Sequence, residues 1–204
     1  MKFLIIDDHP MLRQGVAAVL RDLEPGVTVL EAPDGATGLT LTTQHADLDA
    51  VLLDLQLTGL SGMDTLARLM AAHPDLPVIM LSASEDPADV RAALAAGARG
   101  YCPKSASHAT MQAAVRLVLA GEIYVPPFMA GTAPAVPRGD DGLTARQREV
   151  LRLVCDGRAN KDIAQALGMQ EKTVKTHVTA IFRALKVINR AQAVIAARKA
   201  GLID

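Results

Sequence analysis

Between residues 1 and 122 short apolar runs alternate five times with stretches of helical periodicity, and no other feature narrows the choice of fold as far. The runs cover residues 2–7, 27–31, 50–53, 78–81 and 99–102. Val51-Leu52-Leu53 is apolar at consecutive positions rather than alternate ones, the pattern of a strand covered on both faces in a parallel sheet. Helices are predicted between the runs. Leu12, Val16, Val19 and Leu20 recur at helical spacing, and residues 34–44, 63–72, 87–96 and 108–120 follow, the last two closed by Gly97 and Gly121. Five β–α units with right-handed crossovers give one parallel sheet with helices on both faces, an α/β fold. All strand carboxyl ends then lie along one edge, where open α/β sheets bind their ligands.

That edge collects Asp7 and Asp8 after the first strand, Asp54 after the third, Ser82 after the fourth and Lys104 after the fifth. Three carboxylates so placed repel one another unless a cation joins them, and oxygen-only ligands suit Mg2+. A carboxylate beside Mg2+ can attack phosphorus and become an aspartyl phosphate. Lys104 offers a point charge and the Ser82 hydroxyl a donor for phosphoryl oxygens. Each piece alone has a plainer use: the acidic pair as a helix cap, Lys104 as a solvated loop residue, Ser82 as a strand-end hydroxyl. The coincidence at four strand ends is what carries the reading. His9, His45, His73 and His108 have no ligand-like spacing and read as surface or cap residues.

On these residues the stretch 1–122 resembles a receiver domain of two-component response regulators, with a flavodoxin-like fold. The resemblance implies that Asp54 is the phosphoacceptor, that Asp8, Asp54 and the Gln56 carbonyl bind Mg2+ directly, and that Asp7 acts through water. It implies Ser82 and Tyr101 as switch residues, and a cognate histidine kinase or a small phosphodonor as the phosphoryl source. Three positions depart from the family pattern: Thr58 stands where proline is usual, Ser105 follows Lys104 where a cis proline is usual, and Gln56 lies where phosphoryl lifetime is tuned.

Charge divides the chain. Residues 1–122 hold eight Lys and Arg against fifteen Asp and Glu, whereas residues 143–204 hold twelve against five. An acidic body with a basic tail predicts that the tail alone meets a polyanion. Residues 123–142, with Pro126, Pro127, Pro134 and Pro137, read as a semi-extended linker, and Tyr124 and Phe128 are expected to pack back on a domain.

The tail reads as four helices. Thr144 and Gln147 form a capping box, Asn160 is expected to cap the second helix and Gly168 to end it. In the third, over 171–186, Val174, Val178, Ile181 and Leu185 make an apolar stripe, with His177 at the edge of the core. Lys172, Lys175, Thr176, Thr179 and Arg183 lie on the opposite face. A buried helix with a cationic, hydroxyl-rich outer face after a tight turn has the geometry of a helix-turn-helix, whose second helix enters the major groove. Phe182 is the one aromatic residue in this half, which disfavours single-strand binding by base stacking.

The tail is similar to the LuxR/GerE-type domain of NarL/FixJ regulators, in residues 143–151, 160–164 and 172–177. That likeness implies DNA contacts from Lys175, Thr176 and Thr179, with Lys172, Thr173 and Arg183 nearer the phosphates. It also implies a homodimer through the fourth helix, residues 190–199, where Val194 and Ile195 are outward. Gln170 replaces the usual serine cap, and Thr179 a frequent lysine. The whole reads as a cytoplasmic response regulator transcription factor with double-stranded DNA and a kinase as partners, and not an enzyme. No apolar run approaches a membrane span, the apolar start is too short for a signal peptide, and two lone cysteines, Cys102 and Cys155, suit a reducing compartment. The alternatives are a metal-dependent phosphohydrolase, which would need a second acid/base carboxylate and a substrate cap where this sequence shows no cap insertion, and a regulator that binds DNA without phosphorylation.

Overall fold

The computed structural model describes residues 1–129 and 142–203. Pro134 and Pro137 of the expected linker lie outside the described residues. The described chain divides into two compact units, one of Met1–Val118 with residues 123–129, the other of Leu119–Glu122 with residues 142–203.

In the first unit β1 (Lys2–Ile6), β2 (Thr28–Ala32), β3 (Ala50–Asp54), β4 (Val78–Ser82) and β5 (Gly100–Pro103) form one parallel sheet in the order β2-β1-β3-β4-β5. The strands alternate with α1 (Pro10–Arg21), α2 (Gly35–Gln44), α3 (Gly62–Ala72), α4 (Pro87–Ala95) and α5 (His108–Leu119). Phe3–Ile6 and all of β3 and β4 are buried, which explains their unbroken apolar runs, while edge strand β2 keeps exposed positions. Strand order reverses between β1 and β3, so the crevice for a ligand opens beyond the carboxyl ends of those two strands. Gly62 lets α3 start directly under that crevice. A Cβ there would fall on the backbone carbonyls of Asp54 and Leu55, and the Gly62 N–H donates to the Leu55 carbonyl at 3.2 Å.

Residues 123–129, within the stretch read as linker, pack on this unit. The Tyr101 N–H donates to the Tyr124 carbonyl and the Tyr124 N–H to the Arg99 carbonyl, while Ile123 and Val125 join the sheet's core. Phe128, expected to pack back with Tyr124, is instead exposed, and the neighbouring Met129 is buried in its place.

The second unit holds α6 (Ala145–Cys155), α7 (Asn160–Leu167), α8 (Glu171–Ala184) and α9 (Arg190–Lys199). Its core gathers Leu143, Val150, Leu151, Val154, Ile163, Ala164, Val174, Ile181 and Ala197. The Thr144–Gln147 capping box is formed as expected. Asn160 is not a cap, however. Ala159 takes the extended cap conformation and Asn160 is already helical, so α7 starts without a side-chain cap. Gly168, at φ +62, occupies the left-handed conformation that ends α7 and turns the chain into α8. Gln170 precedes α8 without capping it. Lys186, at φ +54, is the one non-glycine residue with positive φ among the described residues, and it stops α8 two residues short of the expected end.

Candidate functional sites

Strand register builds the first site. Ile6 pairs with Leu53 and Asp54 with Leu81, so Asp7, one step past Ile6, lies alongside Asp54. Ser82 pairs with Pro103, and Lys104 follows. The side chains of Asp7 and Asp54 are fully buried, and Asp8 at the rim is partly so. Buried carboxylates need partners, and the fifth strand supplies one. Lys104 Nζ lies 2.7 Å from Asp54 Oδ2 and 3.0 Å from Asp7 Oδ2. Burial pushes the Asp54 pKa up by more than its hydrogen bonds from Lys104 and the Gln56 N–H pull it down. Burial opposes the charge on Lys104, but hydrogen bonds to Asp54 and Asp7 outweigh it and hold its pKa above the usual value.

The loop after β3 closes over the carboxylates. The Gln56 N–H donates to Asp54 Oδ1 at 3.1 Å, and the Thr58 N–H donates to Asp8 Oδ2 at 3.1 Å. The second bond gives the Thr58 departure a physical meaning, because proline at that position has no N–H to give. Arg13 holds the other side, donating through Nη1 to the Asp7 carbonyl at 2.7 Å.

Ser82 and Tyr101 meet next to this cluster. Ser82 Oγ accepts the Ser84 N–H at 2.9 Å, and the buried Tyr101 hydroxyl donates to the Ser84 carbonyl at 3.0 Å. Burial raises the Tyr101 pKa. No cis peptide occurs among the described residues, so Lys104–Ser105 is trans.

One residue read from sequence as surface or cap belongs to the cluster. His9 precedes α1, but its side chain caps nothing. Its Nδ1 lies 2.8 Å from Asp8 Oδ1, 3.2 Å from Asp7 Oδ1 and 3.9 Å from Asp54 Oδ2. The available signal was its adjacency to Asp7-Asp8; the spacing rules for histidine ligands look for pairs along a helix or loop, and His9 pairs with no other histidine. Ligand atoms of Asp7, Asp8, His9 and Asp54 all fall within 4.8 Å of one another. Asp8 Oδ1 is buried without a hydrogen bond, and Asp7 Oδ2 has the Lys104 ammonium beside it at 3.0 Å. Three convergent carboxylates, one with an unused oxygen, fit a hard divalent cation such as Mg2+.

The second site is a helix face. On α8, Lys172, Lys175, Thr179 and Arg183 are exposed and Thr176 partly so. Thr173 departs from expectation: it is buried beside Val174, because helical periodicity turns it to the inner face with His177. The face is lightly self-restrained. Lys175 Nζ pairs with Glu171 Oε1 one turn earlier at 2.8 Å, and Thr176 and Thr179 hydroxyls donate to the carbonyls of Lys172 and Lys175. His177 lies deeper than an edge position. It is buried, its Nδ1 lacks a hydrogen bond, and burial with the nearby Arg146 charge lowers its pKa to about 4. On α9, Ile195 is exposed and Val194 partly so. Among the described residues no helix is long and apolar enough to cross a membrane.

Comparison with known proteins agrees with this geometry. Residues 3–116 match the response regulator receiver domain family, and residues 141–197 match the luxR family of bacterial regulatory proteins. The chain is 38% identical over 208 residues to the glycerol metabolism activator of Pseudomonas putida, covering 96% of this chain and 94% of that one. It is 35% identical over 201 residues to the nitrate/nitrite response regulator protein NarL of Escherichia coli K12, covering 94% and 92%. The crystal structure of the response regulator ChrA of a heme-sensing two-component system aligns with a TM-score of 0.52 at 34% identity, over 99% of this chain and 98% of that one. The chain thus carries both a receiver sheet whose carboxyl edge gathers three aspartates and a lysine and a luxR-type helical domain with a cationic helix face, and it belongs to the response regulators of this type, which are transcription factors rather than enzymes.

Proposed function

We propose that Asp54 is the phosphoacceptor and that its phosphorylation controls dimerisation and DNA binding by the tail. The observation that carries this reading is the convergence at one sheet edge of Asp54, Asp7 and Lys104, with Lys104 Nζ within 3.0 Å of both buried carboxylates. In the transfer an Asp54 carboxylate oxygen bonds to phosphorus as the nitrogen–phosphorus bond of a kinase phosphohistidine breaks, and the imidazole leaves with the bonding pair. Lys104 moves from the carboxylate to a phosphoryl oxygen, and Ser82 exchanges the Ser84 N–H for another. Asp7, Asp8, Asp54 and the Gln56 carbonyl would hold Mg2+, which when bound neutralises charge on the transferring group. Tyr101, packed against Ser84, follows the rearrangement of Ser82 and passes it to the face of α4, β5 and α5.

Downstream, α8 enters the major groove of double-stranded DNA. Lys175, Thr176 and Thr179 contact bases, and Lys172 and Arg183 contact phosphates; buried Thr173 supports the helix from within. The α9 surface around Ile195 pairs two copies on adjacent half-sites. The division of labour in this reading is a receiver over 1–122, a linker over 123–142 whose first residues, 123–129, pack on the first unit, and a DNA-binding domain over 143–204, and the working compartment is the cytoplasm.

Full-length protein and Asp54→Ala are incubated with Mg2+ and a small phosphodonor, then assayed by intact mass and promoter-DNA binding. Gain of one phosphoryl group with tighter binding, both lost in the variant, is the expected result. Binding indifferent to phosphodonor and to the substitution would mean regulation without phosphorylation.

A further inference from the structure

We propose that His9 supplies a nitrogen ligand to the acidic site and makes it select a first-row transition dication such as Mn2+ over Mg2+. The proposal rests on the cation site described above and deepens it. Ligand atoms about 2.1 Å from an octahedral ion stand about 3.0 Å apart at adjacent positions and about 4.2 Å apart at opposite ones. His9 Nδ1 lies 2.8 and 3.2 Å from Asp8 Oδ1 and Asp7 Oδ1, the spacing of adjacent ligands, and 3.9 Å from Asp54 Oδ2, near that of opposite ones. Asp8 is already fixed from behind, with Oδ2 taking the Thr58 N–H. Its Oδ1 is buried, has no hydrogen bond even to the imidazole 2.8 Å away, and faces the shared space. Nδ1 and the two carboxylate oxygens thus converge on one space at the separations that neighbouring ligands of one ion require.

The polar contacts of the imidazole all lie inside this cluster: Nδ1 shares a hydrogen bond with Asp7 Oδ1 at 3.2 Å, and a cation entering the site would take its place. The ring caps nothing on α1, and at 66% exposure the side chain contributes little to the core. With the ring proton on Nε2, the Nδ1 lone pair is free to coordinate. Mg2+ prefers an all-oxygen shell and gains little from nitrogen. Mn2+ is still chiefly an oxygen-ligand ion but accepts one imidazole more readily than Mg2+, and the later metals more readily again, so one nitrogen among carboxylates shifts preference along the series.

The full chain and His9→Ala are titrated calorimetrically with Mg2+ and with Mn2+. Pulsed electron paramagnetic resonance on the Mn2+ form then looks for nitrogen hyperfine coupling. The wild type is expected to favour Mn2+, and His9→Ala to lose roughly tenfold in Mn2+ affinity while Mg2+ affinity stays within about twofold. The nitrogen coupling is expected in the wild type and absent from the variant. Unchanged Mn2+ affinity, an equal loss for both ions, or coupling that survives the substitution overturns the assignment of His9. Asp54→Ala serves as the separate control: if the wild type binds neither ion, or this variant binds both as tightly as the wild type does, the cation site itself is wrong. Retained Mg2+ binding by His9→Ala also shows that the variant is folded.

Discussion

The sheet edge and the outer face of α8 are both charged, yet they are built by opposite means. At the edge, Asp7, Asp54 and Lys104 come from three separate strand ends, and two of the three charges are wholly buried. On α8, Lys172, Lys175 and Arg183 come from one continuous helix and stand in solvent. Burial makes each charge at the edge costly without its partner, so residues there are coupled. Exposure makes each charge on the helix cheap and nearly independent, since the Lys175–Glu171 pair sits in high dielectric. A switch needs coupling; a surface that reads DNA needs separable contacts.

Perturbations of the two regions should therefore behave differently. The largest effect is expected from Gly62→Ala, whose Cβ meets the Asp54 and Leu55 backbone. It should cost the first unit about 3 kcal/mol in urea unfolding and weaken divalent-cation binding with it, because the same backbone carries the site.

In the second unit acid should act through His177. Its pKa falls from 6.5 unfolded to about 4 folded because burial disfavours the charged ring. The unfolded chain then binds more protons between these values, so stability is fully present above pH 6.5 and is lost as pH drops toward 4. The loss amounts to about 3 kcal/mol. Circular dichroism melts should show this slope in wild type and lose it in His177→Leu, while the receiver transition keeps its own pH dependence.

Lys175→Ala tests the independence of the helix face. DNA affinity should fall about tenfold and the salt slope by about one, with the melting temperature nearly unchanged. Asp54→Asn should do the reverse. Phosphoryl uptake disappears, while stability rises, because burial and the neighbouring Asp7 charge disfavour the Asp54 carboxylate and Lys104 keeps Asp7 as its partner. A stability loss in Lys175→Ala, or in Asp54→Asn, would break the contrast. The smallest effect is expected at the end of α8, where Lys186→Gly relieves a left-handed residue and should add about 1 kcal/mol or less to the second unit.

What could be read without coordinates follows from range. Apolar runs, the Thr144–Gln147 box and the α8 face are set by residues within a few positions of one another, so strand order of burial, helix count and the exposed cations were all legible. Even the edge site was legible in outline, since parallel topology sends every strand end to one side. Errors arose where local signals were ambiguous. Asn160 and Ala159 compete for one cap position, and backbone dihedrals rather than side-chain preference settled it. Thr173 sits at the border of the two faces of α8, where a shift of part of a turn decides burial.

Other features depended on tertiary approach alone. That the Thr58 N–H reaches Asp8, that the His9 ring folds back over three carboxylates instead of capping α1, and that Tyr124 pairs beside β5 involve partners brought together by the sheet. The sequence by itself determined which residue types arrive at the edge, because periodicity and topology are properties of the chain. Only the tertiary structure decided which atoms face one another there, because distances of about 3 Å depend on how strands, loops and helix starts pack in three dimensions.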